Sequence, residues 1–522
     1  MTLKRPLTSS THRYLIRISL SVLLLLAWNS RADVSLPAIF SDHMVLQADV
    51  AARVWGWAAP GEQVSVTIGN KTQSAIADAA GKWTVKLKSL KSLRTSAQPG
   101  TLMVKGATNT LVVHDVLVGE VWLGSGQSNM EWPVKQAKNF PLEQTRAEFP
   151  QIRMFIVQRH PSTNALDDVT GRWEVCTSNT VGNFSAALYF FGRELHQALK
   201  RPVGLIHSSW GGTPIQPWMP LETLQAYPGY AALLERKQKE IVAWPVREKQ
   251  ILASIRAWEA EAASATNKTM RPKPWNPGPP DSGQYLPTGL YNGMIHPLIG
   301  YALRGVVWYQ GESNANDGSA GAVDYTDLQG RMIAGWRAAW AMPKLPFLFV
   351  QLPNWNNPGD ASKCGWAFFR EAQAGNLNIP HTGMAVTIDI GEADSIHPRN
   401  KQDVGHRLAM CALADVYRRN NLASGPHYAQ HKVRGAEIIL SFRHTDGGMV
   451  AKGGDLKSFV VAGADRKWHP AKALIAGGRV VVSAPEVTAP LAVRYAWADN
   501  PDCNLYNGAG LPAAPFRTDD WE

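Results

Sequence analysis

Cysteine is scarce in this chain, with four in 522 residues: Cys176, Cys364, Cys411 and Cys503, each far from the next. That spacing excludes a zinc ribbon and a disulfide-dense scaffold. Four cysteines allow three pairings or four free buried thiols, and the residues do not choose between these. Blocks of one charge are also missing. Charged residues make up 18% of the chain, and the formal net charge of +11 is spread without a long cationic run, which argues against a nucleic-acid partner. Five of the cations fall within residues 1–32, which carry no acid, so the remainder is only mildly basic. Apolar runs of membrane-spanning length are absent as well. The stretch Ile18 to Trp28 is too short, follows Lys4, Arg5, Arg13 and Arg17, and is closed by the small residue Ala32. This is the layout of a secretory signal. Residues 1–32 are therefore expected to be removed on export, periplasmic or secreted, with no stable membrane insertion afterwards.

What is present is ordinary globular chemistry, 45% hydrophobic, in a chain long enough for two or three domains. Residues 33–118 read as short alternating strands ("QVSVTI", "KWTVKL", "TLMVKG") between Gly, Asn and Asp turns, a small β-sandwich. From there to about residue 420, strand candidates ("EVWLGSG", "IRMFIV", "VGLIHSS", "RGVVWYQ", "PFLFVQL", "GMAVTID") alternate with helical stretches at Ser185–Leu199, Tyr325–Trp340, Phe368–Leu377 and Asn400–Tyr417. Strand followed by helix, repeated, predicts a mostly parallel sheet covered on both faces, an α/β fold. Residues 221–285 interrupt that order as a charged helix and a Pro-rich loop, a candidate lid. Residues 421–522 return to β character and predict a second β domain.

In an open parallel sheet, ligands bind outside the carboxyl ends of the strands, so the residues after each strand matter most. Four ends are unusual. In "VWLGSGQSNMEWP", Ser128 is open to two readings, a helix cap or a nucleophile. It does not fit the Gly-x-Ser-x-Gly elbow, because position 130 is Met. In "HSSWGGT", Gly211 and Gly212 can present backbone N–H groups to a ligand or simply turn the chain. "WYQGESNAN" ends in Gln310, Gly311, Glu312, Ser313 and Asn314, a cluster that stabilises a loop or supplies an oxyanion donor. In "DSIHPRNKQDVGHRLA", Asp394 and His397 are three apart, a spacing that lets a carboxylate orient an imidazole and leaves Nε2 free as a base. No third ligand with metal spacing accompanies them, and no cofactor is implied. Together the four ends hold what acyl transfer from an ester needs: a hydroxyl, a base, an acid and oxyanion donors.

With those blocks in order, the chain resembles the SGNH hydrolases, and within them the sialate O-acetylesterase family. The likeness runs on through "RPVGLI", "REAQ", "HPRNKQDVGHRLA" and "LYNGAGLPAAPFRTDDW". The resemblance implies a flavodoxin-like three-layer α/β/α core with N- and C-terminal β-sandwich-like regions. It implies Ser128 as nucleophile, His397 as general base and Asp394 as orienting acid, with Asp389 a fallback for the acid. The implied oxyanion donors are the Ser128 N–H, an N–H of the Gly211–Gly212 pair and the Asn314 amide. Gln127, Gln310, Glu312 and Trp210 are candidate supports, the roles of Gln127 and Glu312 staying open. The expected substrate is an O-acetylated glycan, 9-O-acetyl sialic acid first and acetylated xylan or xyloglucan second. A non-catalytic carbohydrate-binding protein is the reading from another class, which the intact Ser128, Asp394 and His397 set disfavours. Of the Trp residues beside the motifs, Trp122, Trp132, Trp210, Trp218 and Trp308 suit either sugar platforms or core.

Overall fold

The computed structural model describes residues 33–88, 90, 99–264, 273–315, 318–357, 364–420 and 422–521. The expected secretory leader lies outside the described residues. The chain divides into two compact units. The smaller comprises Arg53–Leu87 and Thr101–Val113 with residues 33–36. In it, Gln63–Ile68 pairs antiparallel with Lys71–Ile76 and with Gly100–Lys105, and Ala52–Trp57 pairs with Lys82–Leu87. Alternation is the cause: Val64, Val66 and Ile68 are buried on one strand, and Trp83, Val85 and Leu87 on another, with exposed or half-exposed residues between them.

The larger unit holds Pro37–Ala52, Lys88–Gly100 and His114–Glu522. Its central sheet runs, in spatial order, Thr382–Ala385, Phe347–Val350, Gly305–Tyr309, Thr110–Gly126, Val203–Ser209, Phe149–Ile156 and Trp173–Cys176. Every neighbouring pair is parallel except the last. The strands Val203–Ser209 and Gly305–Tyr309 are buried at every position, as expected where helices cover both faces. Alternate residues serve opposite layers. Trp122, Val307, Leu348 and Ala385 join the core formed with Leu188, Phe191, Leu195, Val404 and Leu408 of the helices Ala186–Leu199 and Lys401–Cys411. Trp308 and Phe347 point the other way, each about 6.0 Å from Trp336 of the helix Gly318–Ala339.

The strand Thr110–Gly126 lies between two strands reached by chain excursions in opposite directions, Val203–Ser209 and Gly305–Tyr309. This is the topological switch point, and the three strand ends there carry the Ser128, Gly211–Gly212 and Asn314 blocks. The excursion between the two flanking strands contains the expected helix, Tyr230–Ser264, preceded by the short Leu221–Gln225. The C-terminal strands form two four-stranded sheets, His427–Arg434 with Glu437–Arg443, Arg479–Ser483 and Lys472–Ala476, and His469–Pro470 with Phe459–Ala462, Ala492–Tyr495 and Phe516–Arg517, together with the pair Met449–Ala451 and Leu505–Asn507. They belong to the same compact unit as the parallel sheet. Cys176 and Cys411 are deeply buried and serve packing.

Candidate active site

The nucleophile turn starts at Gly126, whose φ of 137° is strained for any residue with a side chain. A Cβ there would lie 2.1 Å from the Tyr309 carbonyl, the same oxygen that accepts the Gln127 N–H at 3.0 Å. The chain can therefore turn tightly against the neighbouring strand only because the residue is Gly. The short helix Ser128–Glu131 follows, with Gln127 in the N-cap position and no side-chain cap. Ser128 is thus not the cap. Its Oγ is instead 2.8 Å from His397 Nε2.

Gln127 and Gln310 lock the three strand ends together. Gln127 Oε1 accepts from Gln310 Nε2, Gly311 N–H and Ser313 N–H at 3.2–3.3 Å. Gln310, wholly buried, also donates to the Thr213 carbonyl at 3.2 Å and to Asn314 Oδ1 at 2.8 Å, and accepts from Tyr325 Oη at 2.7 Å. Asn314 Oδ1 accepts the Ile215 N–H at 3.0 Å, which turns its Nδ2 outward toward Gln216 Oε1 at 3.3 Å. That long bond is one a better acceptor can displace. Gly211 lies against the nucleophile, where a Cβ would come within 3.2 Å of the Ser128 Cβ. Its N–H donates to Glu131 Oε2 at 2.7 Å, and the other Glu131 oxygen pairs with Arg159. Gly212, at φ 75°, follows with no such bond recorded for its N–H.

The imidazole of His397 stacks on Trp132, centroids 5.0 Å apart and 20° from parallel. Burial, with Lys401 nearby, pushes its pKa down to about 4, so the ring is neutral at pH 7 and Nε2 can accept a proton. Asp394 does not bond to it: the residue is exposed and makes no recorded hydrogen bond to the ring. The sequence spacing placed the acid three residues away, but the turn Glu392–Ser395 directs it to solvent. The fallback, Asp389, is committed elsewhere, bound to both Arg407 nitrogens at 2.6 and 2.8 Å and to Tyr506 Oη at 2.8 Å.

Two clefts open here. One, of about 380 Å³, is lined by Ser128, His397, Glu131, Trp132, Lys135 and Asn183 among others. The second, about 420 Å³, holds Gly212, Gln216, Arg236, Lys237, Trp275 and Asn314 among its walls. Trp122, Trp218 and Trp308 are wholly buried and serve as core. Trp210, half-buried, carries the Arg159 guanidinium over its ring at 5.5 Å. Several groups escaped the sequence reading: Glu131, Asn129, Lys401, Arg159 and His207. Glu131 and Asn129 lay unread inside the quoted motif. Lys401 carried a faint signal, a cation in the first turn of a helix, where the dipole disfavours it.

A serine hydroxyl bonded to a neutral imidazole at the switch point of a parallel α/β sheet defines a serine hydrolase of the three-layer type. Comparison with known proteins narrows this. Residues 118–251 and 264–414 match the family model described as carbohydrate esterase, sialic acid-specific acetylesterase. The chain is 32% identical to the sialate O-acetylesterase of Mus musculus, covering 95% of this chain and 96% of the relative. It is 30% identical to that of Homo sapiens, covering 95% of each. A carbohydrate acetylesterase from Xanthomonas citri superposes with a TM-score of 0.80 at 38% identity, over 94% of this chain and 100% of the other. The protein belongs to the carbohydrate esterase family of sialic acid-specific acetylesterases, and it is an esterase. No described helix is long and apolar enough to cross a membrane.

Proposed function

We propose that this enzyme removes O-acetyl groups from sialic acid through an acetyl-serine intermediate, and that it acts after export. The observation that carries the catalytic part is the 2.8 Å contact between Ser128 Oγ and a neutral His397 Nε2. Nε2 takes the hydroxyl proton as Oγ attacks the acetyl carbon, and the carbonyl electron pair moves onto oxygen. When the C=O re-forms, the C–O bond to the sugar breaks and Nε2 returns the proton to the leaving alcohol. Water, deprotonated by the same nitrogen, then attacks the acetyl-enzyme, and acetate leaves as Ser128 regains its proton. In this scheme Asp394, which faces solvent and makes no hydrogen bond to the ring among the described residues, acts on the forming imidazolium only through the screened field of its charge.

The oxyanion is held by the Ser128 N–H, which as the first of its helical turn has no intrahelical acceptor, by the Gly212 N–H, since Gly211 is engaged by Glu131, and by Asn314 Nδ2. Such a donor is worth roughly 3 kcal/mol, so Asn314→Ala is expected to lower kcat about a hundredfold with little change in KM. Full activity in that variant would remove Asn314 from the hole.

Sialic acid as substrate is supported by the family description and by the names of the full-length relatives. The cleft beside Asn314 has Arg236 and Trp275 in its walls, with Lys237 paired to Glu240 beside them, and the guanidinium and the indole face suit a carboxylated sugar. The Xanthomonas citri carbohydrate acetylesterase favours a second reading, acetyl groups on neutral xylan or xyloglucan. An acetate-release panel separates them. O-acetylated sialic acid is expected to be turned over with kcat/KM at least about tenfold above that of the neutral oligosaccharides. The reverse order would overturn the sialic acid assignment.

A further inference from the structure

Behind the Ser128–His397 pair lies a buried charged group that the reaction scheme does not use. Lys401 is fully buried, and its Nζ donates to Asn129 Oδ1 at 2.6 Å and to the Pro398 carbonyl at 2.7 Å. Asn129, also fully buried, turns its Nδ2 to Glu312 Oε1 at 2.5 Å and to the Ile396 carbonyl at 3.0 Å. Ammonium on one side and carboxylate on the other fix which way this amide points. The two carbonyls caught are those of the residues immediately before and after His397, and Asn129 is the residue immediately after Ser128.

We propose that Lys401, Asn129 and Glu312 are positioning residues, a buried clamp that holds the carbonyls of Ile396 and Pro398, on either side of His397, to the nucleophile turn and presents Nε2 to Ser128 Oγ. The proposal rests on Ser128 and His397 being the reacting pair. It explains why the ring is well placed here without a bond to Asp394, the stack on Trp132 fixing its plane and the clamp fixing its loop. It also gives Glu312 and Asn129 work that loop stability does not require. A buried lysine and carboxylate bridged by one amide are costly compared with apolar residues of the same volume, and Glu312 Oε2 has no hydrogen-bond partner among the described residues.

The clamp also places charge beside the base. Burial pushes Lys401 down to about 7, against the pull of Glu312 and Glu392, so below that pH it is cationic and opposes a second cation on His397. The other charged groups near the ring are Glu392, Asp394 and Arg399 on its own loop, Glu392 being paired with Arg399. Across the cleft stand Glu131, Lys135 and His207, the last buried and itself pushed down to about 4.

The test is Lys401→Met combined with Glu312→Gln, which removes both buried charges together and leaves neither alone. With a simple acetyl ester, kcat is expected to fall at least about tenfold with KM nearly unchanged. The acid limb of kcat/KM should rise by about one pH unit toward the ordinary histidine value. A folded double variant with wild-type kcat and an unmoved acid limb would overturn the proposal. Should that variant not fold, Asn129→Ala, which removes only the bridging amide, decides the matter with the same ester: a fall in kcat of about tenfold or more with KM nearly unchanged supports the clamp, and a folded variant with wild-type kcat overturns it. The esterase reading fails by a different sign, equal acetate release by wild type and Ser128→Ala.

Discussion

Ser128→Ala is expected to lower acetate release by about 10⁴-fold or more with an unchanged melting temperature. The physical reason for the split is that the hydroxyl and the fold depend on different atoms. Among the described residues Ser128 Oγ bonds only to His397, whereas its turn is held by the Gly126 backbone, by the Gln127 N–H on Tyr309 and by the Gln127 amide on residues 310, 311 and 313. Removing Oγ takes away the atom that becomes acylated and leaves those contacts in place. His397→Ala should cost about as much. The double variant should be scarcely worse than either alone, because the two side chains act as a unit. Acetate release assays on the three variants, with thermal melts alongside, check this. A Ser128→Ala enzyme as active as wild type would sink the assignment of the nucleophile.

Arg370→Met should unfold the larger unit far more readily while touching no reacting atom. Arg370 is completely buried in the helix Gly365–Gly375. Its guanidinium donates to the carbonyls of Leu352, Pro353, Ala498 and Asp499 at 2.7–2.9 Å. Burial pushes its pKa down to about 10, which still leaves it charged at neutral pH. Methionine matches the stem but donates nothing, so four buried acceptors lose their partner at once. At about 1–3 kcal/mol for each group left unsatisfied, the loss should reach at least about 4 kcal/mol even after relaxation. At roughly 2 cal/mol/K of unfolding entropy per residue, a unit of about 440 residues loses about 1 °C per kcal/mol, so the melting temperature should fall by about 4 °C or more. A thermal melt checks it, and a change of under about 2 °C would mean that water or repacking satisfies the carbonyls.

Much of the fold was legible because its causes are local. Alternation in Gln63–Ile68 and Lys82–Leu87 marks half-buried strands, and unbroken apolar runs such as Val203–Ser209 mark strands covered on both faces. Helix starts were readable where a capping side chain announced them. Ser185 accepts from the Leu188 N–H, and Asn400 from the Asp403 N–H. The ends were less so. The helix read as Tyr325–Trp340 spans Gly318–Ala339, and Asn400–Tyr417 divides into an α-helix to Cys411 and a wider turn over Ala412–Val416. The reason is that a few hydrogen bonds, rather than an apolar period, decide where a helix stops.

By itself, the sequence determined the alternating α/β order and the four strand ends with unusual residues, which follow from residue type and spacing along the chain, while the proposed pairing of Ser128 with His397 came from the resemblance to the esterase family. Parallel strands bring their carboxyl ends together whatever lies between them. Only the tertiary structure decided what those residues touch. It showed Trp122, Trp218 and Trp308 to be core, Cys176 and Cys411 to be buried in packing, the Gly211 N–H to be taken by Glu131, and Asp389 to be bound to Arg407 and Tyr506. It also left Asp394 in solvent and set Lys401 and Asn129, 272 residues apart, in contact behind the base. Such pairings depend on burial and on a few ångströms between distant segments, and no local pattern in the chain encodes a distance of that kind.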